Sequence, residues 1–182
     1  MNATAKAYKG MGMDGSMARW YDRTTRKDMP EFQKLAARIA AMMPAGGKVL
    51  EIAPGPGFLS IELAKRGLQV RAVDISKTFV EIGRSNARDA KVAVQFEQGN
   101  AAALPVEDGS TDFVVCRAAF KNFSEPVKAL KEMKRVLRSG GTALLMKRAY
   151  PLAEIRRMGE EAGWREMSFE TSPIGFEARM LN

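Results

Sequence analysis

The stretch Val49-Leu50-Glu51-Ile52-Ala53-Pro54-Gly55-Pro56-Gly57 runs an apolar, β-prone segment straight into two glycines and two prolines. A helical pattern follows at once through Leu59, Leu63 and Ala64. A buried strand that must turn this sharply into a helix restricts the chain to folds that alternate strands with helices. Gly55 and Gly57 permit the turn and let the backbone approach a ligand with no Cβ in the way. Pro54 and Pro56 stiffen the loop and carry no N–H, whereas a phosphate cradle needs many N–H groups. The third glycine of the dinucleotide fingerprint G-x-G-x-x-G is also missing, because Ser60 stands there. The loop therefore suits a ligand without a pyrophosphate, and a nicotinamide dehydrogenase is disfavoured.

The rest of the chain extends the alternation. Residues 1–27 are polar and weakly patterned and read as an arm or lid, with a helical turn at Met17–Tyr21. Asp28-Met29-Pro30-Glu31 starts a helix. It continues through Phe32, Leu35, Ile39 and Met42-Met43 on one face and stops at Pro44–Gly47. Gln69–Ile75 reads as a second strand. Ser76 caps a helix carrying Phe79, Val80, Gly83 and Ala87, and Val92, Val94 and Phe96 alternate as a third strand. Thr111–Arg117 is a fourth strand. A helix opens at Pro126 and closes at Ser139-Gly140-Gly141, before a fifth strand, Thr142–Met146. After a helix over 151–162, Trp164–Thr171 and Gly175–Met180 read as an antiparallel pair joined by a turn that contains Pro173. Residues 28–182 thus form one α/β domain of doubly wound, Rossmann-like type. Its seven-stranded sheet is mostly parallel with the last strand antiparallel, and helices cover both faces.

Composition removes several chemistries. The chain has no histidine and one cysteine, Cys116. A Ser-His-Asp or Cys-His hydrolase is excluded, as is a structural zinc site, and no metal is expected. A lone cysteine cannot form an internal disulfide, which fits a reducing, cytoplasmic setting. No apolar run approaches the ~18 residues of a spanning helix, so no membrane span is expected. The net charge of +8 is compatible with nucleic acid. The basic residues are spread along the chain without a dense cluster, so a small-molecule partner is preferred.

Asp74 ends the second strand, where a carboxylate can accept hydrogen bonds from both hydroxyls of a ribose. With that residue in place the chain resembles the class I S-adenosylmethionine-dependent methyltransferases. Glu51-x-Ala53-x-Gly55-x-Gly57 followed by Val73-Asp74 is similar to their first two motifs. The resemblance continues through Gln98–Pro105, Asp112–Cys116 and Lys131–Arg138-x-Gly140-Gly141, and is nearest to the small-molecule methyltransferases of ubiquinone and menaquinone biosynthesis.

The resemblance implies S-adenosylmethionine as cofactor and S-adenosylhomocysteine as product. It implies that Glu51 and the Ala53–Gly57 backbone face the methionine part, with the backbone of Cys116-Arg117 near its amino group. Asp74 would bind the ribose, Ile75 would lie under the adenine, Asn100 and Ala101 would meet its edge, and Leu104 would pack beside it. Ala53 departs from the family's frequent glycine and crowds the loop. Asn100 departs from the frequent Asp, yet an amide oxygen can still accept from the adenine amine. The segment after the fifth strand is short, so a reduced or open acceptor pocket is expected.

Methyl transfer from a sulfonium needs alignment more than a strong base. Lack of histidine therefore narrows the acceptor toward an amine, thiol, carboxylate or activated carbon, and no catalytic residue is assigned. In the arm, Tyr21 is expected over the cofactor's cationic sulfur. Trp20, Phe120 and Phe123 are candidates for the acceptor pocket. An RNA or protein methyltransferase, or a non-catalytic cofactor-binding protein of the same fold, are the alternatives.

Overall fold

The computed structural model describes residue 9, residues 13–147, 151–172 and 175–182. The seven strands form one sheet in the order β3-β2-β1-β4-β5-β7-β6. The described residues divide into two compact units, one within residues 12–98 and one within residues 99–182.

In the first unit α1 (Gly15–Thr25) and α2 (Met29–Ala41) precede β1 (Lys48–Ile52), α3 (Phe58–Ala64), β2 (Gln69–Asp74), α4 (Lys77–Asp89) and β3 (Val94–Gln98). The strands are parallel, with Ile52 beside Val73 and Asp74 beside Gln98. Every residue from Val49 to Ile52 is buried. This continuous burial is what an all-parallel strand covered on both faces requires. Ile61, Ala72, Val80, Ala87 and Phe96 form one core cluster.

The second unit holds β4 (Thr111–Arg117), α5 (Pro126–Val136), β5 (Leu137–Lys147), α6 (Leu152–Glu161), β6 (Glu166–Ser172) and β7 (Gly175–Leu181). β4 and β5 are parallel, and β7 runs antiparallel to both β5 and β6. Trp164 is fully buried, and its indole N–H donates to the Leu130 carbonyl at 3.1 Å.

Several boundaries differ from the sequence reading. The turn expected at Met17–Tyr21 is an 11-residue helix. Ala18 and Thr25, seven apart, share its buried stripe and hold it to the core. Ser139-Gly140-Gly141 does not terminate α5. It lies inside β5, where the register against β4 slips between Thr111 and Phe113 and Gly140 takes φ +73°. Val92 falls outside β3 because its N–H closes the C-terminus of α4 on the Ala87 carbonyl, 3.1 Å. Trp164 precedes β6 for a similar reason, with its N–H on the Gly159 carbonyl, 3.0 Å. The Pro173 turn and the short 148–150 segment lie outside the described residues.

Candidate functional site

The glycine loop after β1 has the conformation its sequence requires. Gly55 (φ +56°) and Gly57 (φ +81°) are both left-handed. A Cβ on Gly57 would stand 2.5 Å from the Phe96 ring, so this position excludes every side chain on steric grounds as well as conformational ones. Ala53 also takes φ +55°, which costs an L-residue roughly 1–2 kcal/mol. That strain is the physical reason a glycine is favoured there. The Ala53 N–H keeps the chain in register by donating to the Val73 carbonyl, 2.8 Å.

Two buried carboxylates flank the loop. Glu51, 3% exposed, accepts from the Ser60 hydroxyl at 2.5 Å. The residue that replaced a third glycine thus holds a carboxylate in place. Asp74, 6% exposed, accepts from the Gly55 N–H at 3.1 Å through Oδ2 and from the Ser76 N–H at 2.9 Å through Oδ1. Burial raises its pKa from the usual carboxylate range to about 6, and the nearby Asp14 charge pushes the same way. The backbone N–H donors oppose that rise without cancelling it. With the Ile75 N–H as a third backbone donor, about one of the carboxylate's four lone-pair sites is left for an external donor.

Helix α1 belongs to the same neighbourhood. The Tyr21 ring lies beside Gly55, with its Cε1 3.8 Å from where a Gly55 Cβ would be, and it makes an edge contact with Phe79 at 5.9 Å. The N-terminus of α1 is pinned to that of α4. Ser76 directs its hydroxyl at Asp14 Oδ1, 2.5 Å, with the Met13 carbonyl 2.9 Å away, and the Gly15 N–H donates to Thr78 Oγ1 at 3.1 Å. Ser76 Oγ also accepts from the Phe79 N–H, 3.2 Å, as the cap of α4. Ile75 is half-buried just past β2, and its carbonyl accepts from Gln98 Nε2 at 3.0 Å.

The remaining expected residues, Trp20 apart, lie in the second unit. Asn100 is half-buried, and its Oδ1 accepts from the Ala102 N–H at 2.9 Å, so one lone pair of the oxygen expected to read adenine already closes a local turn. Ala101 is half-buried in that turn. Leu104 is buried, and its N–H donates to Glu132 at 2.7 Å. Arg135 clamps the same segment through the Leu104 and Val106 carbonyls and Glu132. Arg117 is half-buried at the end of β4, and Ala118 after it takes φ +63°. Phe120 and Phe123 pack edge to face at 5.5 Å, Phe120 being buried and Phe123 half-buried. Trp20 is 57% exposed.

The sequence reading missed Asn86. It is a polar residue on the buried face of α4, three residues after Gly83, and that placement was the available signal.

The strand order with β7 reversed, the glycine turn after β1 and the carboxylate closing β2 define the class I methyltransferase architecture. A model described as "Methyltransferase domain" matches residues 50–145, just over half of the chain, and the chain belongs to that family. A demethylmenaquinone methyltransferase of Deinococcus radiodurans is 36% identical over 113 residues, covering 61% of this chain and 47% of that protein. One of Clavibacter sepedonicus is 34% identical over 143 residues, covering 76% and 58%. The chain spans about half the length of the curated relatives it matches. Among solved structures, a candidate S-adenosyl-L-methionine-dependent methyltransferase of Methanococcus maripaludis superposes with a TM-score of 0.86 over 95% of each chain at 23% identity. That likeness shows the fold.

Proposed function

We propose that the chain binds S-adenosylmethionine through the β1 glycine loop and Asp74, and transfers its methyl group to a small-molecule acceptor. The observation that carries the reading is the buried Asp74 carboxylate cross-bonded to Gly55. A carboxylate beside a turn stripped of side chains and poor in N–H donors supports a ribose-binding role. That combination selects a nucleoside thioether over a pyrophosphate. Tyr21, alongside Gly55, covers the methionine end and offers an aromatic face to the sulfonium. Glu51, Ile75, Asn100, Ala101, Leu104 and Arg117 keep the roles the family resemblance implies, with Trp20, Phe120 and Phe123 toward the acceptor. Helix α1 acts as the lid.

The acceptor we favour is an electron-rich ring carbon of a hydroquinone-like molecule. Two relatives are demethylmenaquinone methyltransferases, and a ring carbon activated by its own hydroxyl needs no histidine base. Held by the glycine loop and Asp74, S-adenosylmethionine would supply an electrophilic methyl group. Its transfer to the ring carbon would leave the bonding pair on sulfur, and the ring proton would go to solvent as the product leaves. The chain's part is alignment and exclusion of water. The buried single thiol, Cys116, suits the cytoplasm. The relatives do not favour RNA or protein as acceptor. Among the described residues no helix is long and apolar enough to cross a membrane.

Calorimetry tests the reading. S-adenosylhomocysteine is expected to bind, with no comparable binding of NAD. Tighter NAD than S-adenosylhomocysteine overturns it.

A further inference from the structure

A single buried amide joins α1 to the cofactor loop. Asn86, 9% exposed on α4, donates through Nδ2 to the Pro56 carbonyl at 3.0 Å and to Asp22 Oδ1 at 2.9 Å. Its Oδ1 accepts from Arg26 Nη2 at 2.9 Å, and the same nitrogen reaches Asp22 Oδ2 at 3.1 Å. The Arg26 guanidinium lies 5.2 Å above the Phe58 ring, in the first turn of α3. The orientation of the amide follows from chemistry. A carbonyl and a carboxylate can only accept, and a guanidinium can only donate, so no flipped arrangement satisfies all three partners. Both Nδ2 hydrogens are used. No other residue type of this size presents two donors and an acceptor from one planar group.

Pro56 sits between the two left-handed glycines, and Asp22 follows Tyr21 on α1. We infer that Asn86 is a positioning residue that makes the shape of the cofactor loop and the docking of α1 one coupled element. The inference rests on the cofactor site proposed above. It has a thermodynamic consequence. If one amide holds both partners, ligand binding at the loop must stabilise α1, and loss of α1 docking must weaken the ligand by the same factor. The partners of the Asn86 amide are all protein groups. Asn86 acts through the Pro56 carbonyl and Asp22.

The test uses the full chain, S-adenosylhomocysteine calorimetry and amide hydrogen exchange. In the wild-type protein the ligand should slow exchange in residues 15–25. Asn86→Ala should weaken S-adenosylhomocysteine about tenfold, because it leaves a buried carbonyl without its donor. It should also abolish ligand-induced protection of residues 15–25 while protection in β2 remains, a split that general destabilisation would not produce. Asn86→Asp should be at least as damaging, since its carboxylate would face the Pro56 carbonyl and Asp22. Should Asn86→Ala fail to fold, Asp22→Ala removes the α1 side alone. It should weaken binding about threefold and free α1.

Unchanged affinity in folded Asn86→Ala, or α1 protection that persists there, overturns the coupling. If the wild-type protein fails to bind S-adenosylhomocysteine, the cofactor reading falls separately. Ligand-free exchange in Asn86→Ala then decides the coupling. A joint acceleration of residues 15–25 and of the Gly55 and Gly57 amides supports it, and acceleration of one of the two alone overturns it.

Discussion

Residues 12–98 and residues 99–182 both hold expected ligand residues, more of them in the first, and treat them differently. In the first unit the polar ones are buried and engaged before any ligand arrives: Glu51 with Ser60, Asp74 with Gly55 and Ser76, and the Pro56 carbonyl with Asn86. In the second, Asn100 and Arg117 are half-buried at the ends of loops and strands, and the Asn100 amide oxygen serves its own turn. The difference follows from solvation. A buried polar group without a partner costs about 1–3 kcal/mol, so burial obliges a fixed geometry. A half-exposed amide can use water, and nothing forces one arrangement on it. Preorganisation in the first unit is therefore a by-product of burying polar groups around a tight turn.

The sharpest test of that contrast is Gly57→Ala. Its Cβ would meet Phe96 at 2.5 Å from a left-handed backbone, so we expect a loss of about 3 kcal/mol in folding free energy, measured by urea titration. A loss below 1 kcal/mol would show the first unit to be more pliant than its packing implies.

Next in size is Asp74→Ala, expected to cost about 2 kcal/mol of S-adenosylhomocysteine affinity with the fold retained. An unchanged dissociation constant would remove Asp74 from the site.

The same carboxylate sets a pH dependence. Its folded pKa, about 6, lies above the ordinary 3.8, so the folded ligand-free protein holds the proton more tightly than the unfolded chain. The stability this provides is fully present below pH ~4 and is lost as pH rises through about 6. Ribose hydroxyls donate to the ionised form. Affinity for S-adenosylhomocysteine should therefore rise from pH 5 to 7, with proton release near pH 6 detected by calorimetry in buffers of different ionisation enthalpy. A flat profile, or one unaltered in Asp74→Asn, would contradict this.

Asn100→Ala, in the second unit, should cost under about 1 kcal/mol of cofactor affinity. A larger loss than that of Asp74→Ala would invert the comparison. The smallest effect expected is Ala53→Gly, a gain of up to about 1 kcal/mol in stability from relief of the left-handed alanine, read from the urea midpoint. Destabilisation would mean that the entropy gained by the unfolded chain outweighs the strain.

The alternation of strands and helices, the turn at Gly55 and Gly57, and the carboxylate at the end of β2 were legible because each is written in local residue types: β-prone runs, helical spacing, glycine and proline. The ends of β3 and β5 were less so. Val92 reads as a strand residue and Gly140-Gly141 as a helix stop until long-range partners decide otherwise. The arm was underestimated because Ala18 and Thr25 are small or polar, and their burial needs a surface to bury against.

By itself the sequence determined the fold family and the turn that shapes the candidate cofactor site, since both depend on backbone conformations that few residue types accept. It also excluded histidine and zinc chemistry, since those ligands are missing. Only the tertiary structure decided that Ser60 holds Glu51, that Asp74 is buried enough to shift its proton affinity, and that Asn86 links Pro56 to Asp22. The first and the last of these are pairings between residues 9 to 64 positions apart, and the second is burial. Hydrogen-bond capacity is a property of each residue, but which partner fills it is set by where the chain brings the groups together.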